Sequence, residues 1–572
     1  METAWSNESS LWGWFIAEVL ARLGVRHAVV SPGSRSTPLT WALAHSSIEA
    51  VPILDERSAA YYALGLARKT GYPTVLVCTS GTAAANYFPA IIEAHESGTP
   101  LLVLTADRPP ELRRCAAGQT VDQVKLYGSA ALDFFELPVP EPRERILRHL
   151  RQTIAQALRQ TMLPFPGPVH VNVPLREPLS PEPGKLLALD FDPAALLAGV
   201  GKPSPALPLP RAEALQLPRD ASRILIVAGS LMPADDAKAR TALLDLARRL
   251  AAPVLCDPLG PWRSGENENA YRIRHYDSIL SSDSARSALA PDFVIQIGPL
   301  PTSKTLRSWL AGLDRPTLVL TIGADDPDAA RAKSRVVQLA PEDLALISGG
   351  ASSMEYAAQW LDREAKAELA VDAALAAAHP SFEGRIARSI FRSAPEGCSV
   401  TIANSMSVRD AESFREFGGA QVRTFFSRGA NGIDGTLATA LGSSHGGHGI
   451  LLTGDLALLH DCGSLLSAHA HKGSMTVVLS DNSGGGIFET LPVAKLGDPA
   501  YETYFATPQA ADFASLAKAF GADYELLASI DELPGKLREA ARPGLCILHI
   551  RTDRKKDSAF RAELRRRVSA SL

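Results

Sequence analysis

GDLALLHDCGSLLSAHAHKGSMTVVLSDNSGGGIF, residues 454–488, decides the fold. ILLTGD (450–455) reads as a buried strand that ends in a carboxylate. MTVVLSDN (475–482) reads as a second buried strand, ending in an amide and a glycine run. LLHDCGSLLSAHAH between them has the apolar spacing of a helix. Strand, helix, strand implies a parallel pair. Open parallel sheets bind ligands beyond the carboxyl ends of their strands. Asp455 and Asn482, 27 positions apart, therefore fall at adjacent strand tips. A carboxylate, an amide oxygen and a backbone carbonyl at Gly484 make a set of hard oxygen donors, the kind that Mg²⁺ shares with phosphate.

The same alternation extends towards the N-terminus. HAVVSPGSRSTPLTWALAH is a strand, a tight turn with Arg35, and a helix whose free N–H groups suit an anion. LDERSAAYYALGLA, TVLVCTSGTAAAN and LLVLTADRPPELR repeat the unit. Glu56, then Thr79, Ser80 and Gly81, then Arg108 each follow a strand, so they are expected along one edge of one sheet. Residues 178–222 are rich in Pro, Leu and Ala and read as a linker. RILIVAGS, APVLCDPLG, PDFVIQIGPLPTSKTL, TLVLTIG and RVVQLAP form a Rossmann-like middle domain, and no GxGxxG follows its first strand. A spacer role is expected for it. The expectation is α/β throughout: three doubly wound parallel-sheet domains. They span 1–180, 223–350 and 380–572, with linkers at 181–222 and 351–379. A faint echo relates the first domain to the last. In each, a strand tip leads into an Ala- and Gly-rich helix, a strand and a loop.

At 572 residues the chain is too long for one core. Lys and Arg number 58 against 62 Asp and Glu, and the resulting net charge of −4 argues against nonspecific binding to nucleic acid or an anionic membrane. No basic segment precedes an apolar run at the N-terminus, and no run approaches a membrane span, so a cytoplasmic location is expected. The six cysteines are far apart, without CxxC, and read as free buried thiols. His445, His448, His460, His469 and His471 are expected to be solvated or capping.

The GD, the gap and the N followed by glycines together resemble the diphosphate-binding motif of thiamine diphosphate enzymes. The resemblance implies Asp455, Asn482 and the Gly484 carbonyl as ligands of Mg²⁺ or Mn²⁺. It also implies Gly454, Leu456, Gly485, Ile487, Phe488 and Leu491 around the cofactor, the last three as an apolar floor. Ser80 and Gly81 join them from the first domain. Glu56 would be the catalytic carboxyl facing the aminopyrimidine, and Ile433 the wedge that holds the cofactor bent. Leu456 and Asp481 stand where the motif usually has Gly and Asn.

SPGSRSTPL, LDER, TSGTAAAN, LTADRPPELR, GQTVDQ, NSMSVRD, SRGANGIDG, GDLALLHD and GGGIFETLP follow one another over most of the chain. In that order they are similar to the 2-succinyl-5-enolpyruvyl-6-hydroxy-3-cyclohexene-1-carboxylate synthases of menaquinone biosynthesis. The resemblance implies decarboxylation of 2-oxoglutarate and conjugate addition of the succinyl unit to isochorismate. Arg35, Arg108, Gln119, Lys304, Ser405, Arg409 and Arg428 would line the substrate site. Arginine's planar fork suits such polyanionic substrates. Gly118 and Thr305 depart from the pattern of some members. The family builds each site between the first domain of one subunit and the third of another, which implies a homodimer at least and a homotetramer by likeness. An acetolactate-synthase-type carboligase, sharing the fold, is the alternative, and a non-catalytic binding protein the alternative of another class.

Overall fold

A computed structural model describes residues 5–202, 215–232, 235–265, 271–322, 327–330, 333–468, 471–539 and 543–572. The chain divides into two compact units. One holds Met1–Pro208, Ser427–His445 and Asp461–Ser467; the other holds Leu209–Phe426, Gly446–His460 and Ala468–Leu572.

The first unit contains a six-stranded sheet: β1 (His27–Val30), β2 (Glu49–Pro52), β3 (Thr74–Cys78), β4 (Leu101–Asp107), β5 (Asp133–Glu136) and β6 (Pro168–Pro174). All pairings are parallel, in the order β2-β1-β3-β4-β6-β5. β3, β4 and β6 are buried along their whole length, as strands covered on both faces must be. Helix Glu8–Arg22 starts in a capping box at Asn7 and buries Trp12 and Phe15 completely. Helix Glu56–Thr70 is capped by Asp55, whose side chain accepts from the Ser58 N–H at 3.0 Å.

The Pro-rich stretch after residue 180 is not a bare tether as far as Lys202. Leu196 and Leu197 are buried in the core of the first sheet, with Leu187 and Phe191 packed beside them. Residues 203–214 of that stretch lie outside the described residues.

The second unit contains two further six-stranded sheets, again wholly parallel. One is built from β7 (Ile224–Ala228), β8 (Val254–Cys256), β9 (Arg272–Ile273), β10 (Phe293–Ile297), β11 (Thr317–Thr321) and β12 (Ser334–Gln338). Its order, β9-β8-β7-β10-β11-β12, is the Rossmann order. The other is built from β13 (Ser399–Ile402), β14 (Arg423–Phe426), β15 (Gly447–Gly454), β16 (Gly473–Asp481), β17 (Asp523–Leu526) and β18 (Gly544–Arg551). Its order is β14-β13-β15-β16-β18-β17, the path of the first sheet repeated strand for strand. The echo in the sequence is thus a shared topology.

Two elements differ from expectation. The segment after Asp455 is one short helix, Asp455–His460, followed by a 3₁₀ turn at Cys462–Ser467. Buried Asp461 turns the chain there, because its carboxylate accepts the Leu437 and Ala438 N–H groups at 2.8 and 3.0 Å. The C-terminal helix, Arg554–Ser571, is an addition that apolar spacing did not reveal. It has few buried residues, Leu564 and Val568 among them.

The thiols are free, with Cys78, Cys256 and Cys398 buried and Cys115 exposed. No helix among the described residues is long and apolar enough to cross a membrane.

Candidate active site

Each doubly wound sheet has a crevice where the strand order reverses. In the first sheet that point lies between β1 and β3. The turn after β1 carries Arg35, and the turn after β3 carries Thr79, Ser80 and Gly81; the Arg35 N–H donates to Thr79 Oγ1 at 3.2 Å. Arg108 follows β4, and its Nη1 donates to Ser80 Oγ at 2.7 Å. Ser80 and Gln119 bond reciprocally: Ser80 Oγ donates to the Gln119 carbonyl, and Gln119 Nε2 donates to the Ser80 carbonyl, both at 3.0 Å. Gln119 adopts a left-handed backbone, φ 58°, to do so, a conformation that costs a non-glycine residue and recurs at functional sites.

This cluster is cationic. Arg35 is buried and donates to the Leu175 carbonyl at 2.9 Å, and it pairs with Glu177 at 3.1 Å. Burial and the neighbouring Arg108 lower its guanidinium pKa from the ordinary value. Arg108 has no ion pair among the described residues. An arginine left without a carboxylate beside a second arginine suits an anionic ligand.

Glu56 opens helix Glu56–Thr70, half-buried at the tip of β2. Its carboxylate makes no hydrogen bond among the described residues, which leaves it available for a ligand.

Ser427–His445 also belongs to this unit. The buried Arg68–Glu93 pair, 2.7 Å, organises its start, since Glu93 accepts the Gly429 and Ala430 N–H groups at 3.1 and 2.7 Å. Arg428 and Ile433 are carried on this half-buried loop. Farther on, Tyr61 donates to Asp434. His445 is buried, not solvated. It is bonded to Tyr62 at 2.6 Å and to Glu49 at 3.0 Å.

In the second unit the reversal lies between β13 and β15. Asp455 follows β15 and Asn482 follows β16, and the strands pair Gly454 with Ser480. The two side chains thus stand at adjacent tips. Asp455 is 4% exposed and Asn482 7%. Burial, then the neighbouring Asp481, pushes the Asp455 carboxyl up to about 6. Asp455 Oδ2 accepts the Gly484 N–H at 2.7 Å. Asn482 Nδ2 donates to Glu383 at 3.1 Å, whereas its Oδ1 is buried with no partner.

Gly484 has φ 129°, and a Cβ there would stand 2.2 Å from the Ala506 carbonyl oxygen. Only glycine fits. Its carbonyl accepts from Gly486 at 2.9 Å and keeps a second lone pair. A carboxylate whose ionised form is penalised, an orphaned amide oxygen and a carbonyl fit a hard divalent cation. Asp481 does other work. Against the cost of burial, His549 and the Ser483 N–H hold its carboxyl below the usual value.

Beside these tips, Ser405 caps helix Met406–Phe414 with φ 65° and accepts from Arg409 Nη1 at 2.6 Å through its carbonyl. Burial lowers the Arg409 pKa, and no ion pair to Arg409 occurs among the described residues. Lys304 is exposed at the start of helix Lys304–Leu313, beyond β10. Glu412, on the Arg409 helix, accepts from Ser303 N–H at 3.0 Å and from Tyr276 at 2.7 Å. It thereby ties the Lys304 turn to the Arg409 helix. Ile487 and Phe488 are half-buried and Leu491 is 41% exposed.

Several contributors escaped sequence reading. Gln123 is fully buried and accepts the Gly81 N–H at 2.8 Å while donating to Asn172. It shares the motif GQTVDQ with Gln119. Glu383 bonds to Asn482, and Arg561 links Glu383 to Asp410; these residues come from distant parts of the chain, and no local spacing announces them.

Residues 13–126 match the thiamine pyrophosphate enzyme N-terminal TPP binding domain, and residues 408–550 match the corresponding C-terminal TPP binding domain. A 2-succinyl-5-enolpyruvyl-6-hydroxy-3-cyclohexene-1-carboxylate synthase of Microcystis aeruginosa is 44% identical over 97% of this chain and 98% of its own. One from a Synechococcus species is 45% identical over 99% of this chain and 97% of its own. One from a Nostoc species is 42% identical over 98% of each. The chain belongs to the 2-succinyl-5-enolpyruvyl-6-hydroxy-3-cyclohexene-1-carboxylate synthase family of thiamine diphosphate enzymes.

Proposed function

We propose that this chain catalyses the reaction for which its family is named, in menaquinone biosynthesis. It decarboxylates 2-oxoglutarate and adds the succinyl unit to the ring alkene of isochorismate. Bound thiamine diphosphate supplies the electron sink for decarboxylation and carbon–carbon bond formation. Asp455, Asn482 and the Gly484 carbonyl would hold the Mg²⁺ or Mn²⁺ that accompanies the diphosphate, with Gly454, Leu456 and Gly485 lining the clamp. The observation that supports this reading best is the buried, unpartnered Oδ1 of Asn482 beside a carboxylate whose ionisation burial disfavours. A cation relieves both.

Glu56 holds a proton at a ring nitrogen of the aminopyrimidine. Ser80 and Gly81 would approach the cofactor, Ile433 would wedge it, and Ile487, Phe488 and Leu491 would form an apolar floor beside the reacting carbon. Arg35, Arg108, Gln119, Lys304, Ser405, Arg409 and Arg428 bind the substrate carboxylates. Arg108 and Arg409 support this role, because neither spends its charge on an ion pair among the described residues.

The proposed organisation is a pyrimidine-binding domain over 1–180, a central domain over 223–350 and a diphosphate-binding domain over 380–572, joined by linkers. The active form is at least a homodimer, and a homotetramer in our reading, in the cytoplasm.

An acetolactate-type carboligase would use the same cofactor clamp, so substrate choice decides. Stopped-flow consumption of 2-oxoglutarate and of pyruvate, each with isochorismate, is the test. Preference for 2-oxoglutarate is expected; preference for pyruvate would overturn the proposal.

A further inference from the structure

An amide ligand has a problem that a carboxylate does not. Turned by half a rotation, it presents N–H to the cation instead of oxygen. At Asn482 the turn is prevented from behind. Nδ2 donates to Glu383 Oε2 at 3.1 Å, so Oδ1 is the atom left buried without a partner.

Glu383 is itself held. Its Oε1 accepts from Arg561 Nη2 at 2.8 Å, and Ser480 Oγ stands 3.5 Å from Oε2. Arg561 Nη1 reaches on to Asp410 at 2.5 Å, on the helix that carries Arg409. The guanidinium lies 4.9 Å from the Phe382 ring centroid and 5.9 Å from that of Phe414, which limits its freedom. Glu383 is 5% exposed and Asp410 4%.

Arg561 belongs to helix Arg554–Ser571. Two turns earlier on the same face, Arg554 Nη1 donates to the Ser483 carbonyl at 2.7 Å and Nε to Glu489 at 3.0 Å. The C-terminal helix therefore grips the Asn482 loop twice, once through its backbone and once through Glu383.

We infer that Glu383, pinned by Arg561 of the C-terminal helix, orients the Asn482 amide so that its oxygen faces the cation. It thereby sets metal affinity. Glu383 and Arg561 are positioning residues and touch neither metal nor substrate. The inference rests on the reading of Asn482 as a metal ligand. Outer partners of this kind are worth about 10- to 100-fold in metal affinity elsewhere.

The test uses the full chain with saturating thiamine diphosphate and titrates Mg²⁺ by calorimetry. Glu383→Ala should raise the Mg²⁺ Kd by about 10- to 100-fold. Arg561→Gln, which leaves Glu383 and Asn482 in place but unpinned, should raise it by a smaller factor. At saturating Mg²⁺, kcat should return to near the wild-type value in both. Should Glu383→Ala fail to fold, Arg561→Gln carries the test alone. Kd values within twofold of wild type, or a lower kcat at saturating Mg²⁺ with unchanged Kd, would overturn the inference. A wild-type protein that binds no Mg²⁺ with the cofactor would instead overturn the metal reading beneath it.

Discussion

Replacing Glu93 by alanine should loosen the loop that carries Arg428 and Ile433. Glu93 is 2% exposed, on helix Phe88–Glu96. It receives Arg68 Nη2 at 2.7 Å and the N–H groups of Gly429 and Ala430 at 3.1 and 2.7 Å. Removing one partner of a buried ion pair costs about 3–5 kcal/mol. The guanidinium would not be fully orphaned, because Nη2 still reaches Ser97 at 2.8 Å, Nε reaches Thr99 at 3.2 Å and Nη1 reaches Ser427 at 3.1 Å. Ala430 is exposed, so water can replace part of what its N–H loses. The low end of the range, about 3 kcal/mol, is therefore expected. For a unit of this size that is a fall of roughly 6–12 °C in melting temperature. Differential scanning calorimetry of the cofactor-free protein reads it directly. KM for the substrates should rise as well, since Arg428 follows Ser427 in the loop. A fall of less than about 2 °C, with KM unchanged, would refute the claim that the pair organises this loop.

Burial, with Asp277 and Asp257 nearby, raises Glu412 from 4.5 to about 8. The folded protein therefore holds this proton more tightly than the unfolded chain. The stability it confers is full below pH 4.5 and is lost as pH rises through 8, by about 1.4 kcal/mol per unit. Glu412→Gln is neutral throughout, so its stability advantage over wild type should grow across that window and then level off. A difference independent of pH would contradict the assignment. Gly484→Ala places a Cβ 2.2 Å from the Ala506 carbonyl at φ 129°. Strain of about 1–3 kcal/mol, or roughly 5- to 150-fold, should appear as weaker binding of Mg²⁺ and thiamine diphosphate in calorimetry; wild-type affinity would show that the turn tolerates a side chain. Arg108→Met should lower kcat/KM for 2-oxoglutarate by at least about tenfold, the loss of one charged hydrogen bond, and leave cofactor binding intact. Equal kinetics would remove Arg108 from the substrate site.

Strand tips were the legible part of this chain. Runs such as TVLVC and ILLTG are buried strands whatever surrounds them, and the residue after each run lands at the sheet edge by geometry alone. Arg35, Ser80, Arg108, Asp455 and Asn482 each follow a strand in this way. What the sequence concealed depends on contacts between distant segments. Glu383 and Arg561 lie 178 positions apart yet share an ion pair. Gln123 reads as an ordinary loop amide until Gly81 is seen donating to it. His445 caps helix Thr436–Ser444, as one of the two expected roles has it, but its burial is not legible in the sequence because Tyr62 and Glu49, to which it bonds, are more than 380 residues earlier. The helix assigned across 458–471 failed for a similar reason. At the turn, Asp461 accepts the N–H groups of Leu437 and Ala438, more than 20 residues earlier, as well as the hydroxyl of nearby Ser464. His469 lies outside the described residues.

The most direct test is calorimetric titration of the metal-free protein with thiamine diphosphate, with Mg²⁺ present and with Mg²⁺ chelated. The account predicts saturable binding that requires the cation and that Asp455→Ala abolishes. Binding of equal strength without a divalent ion, or unchanged by loss of the Asp455 carboxylate, would contradict it.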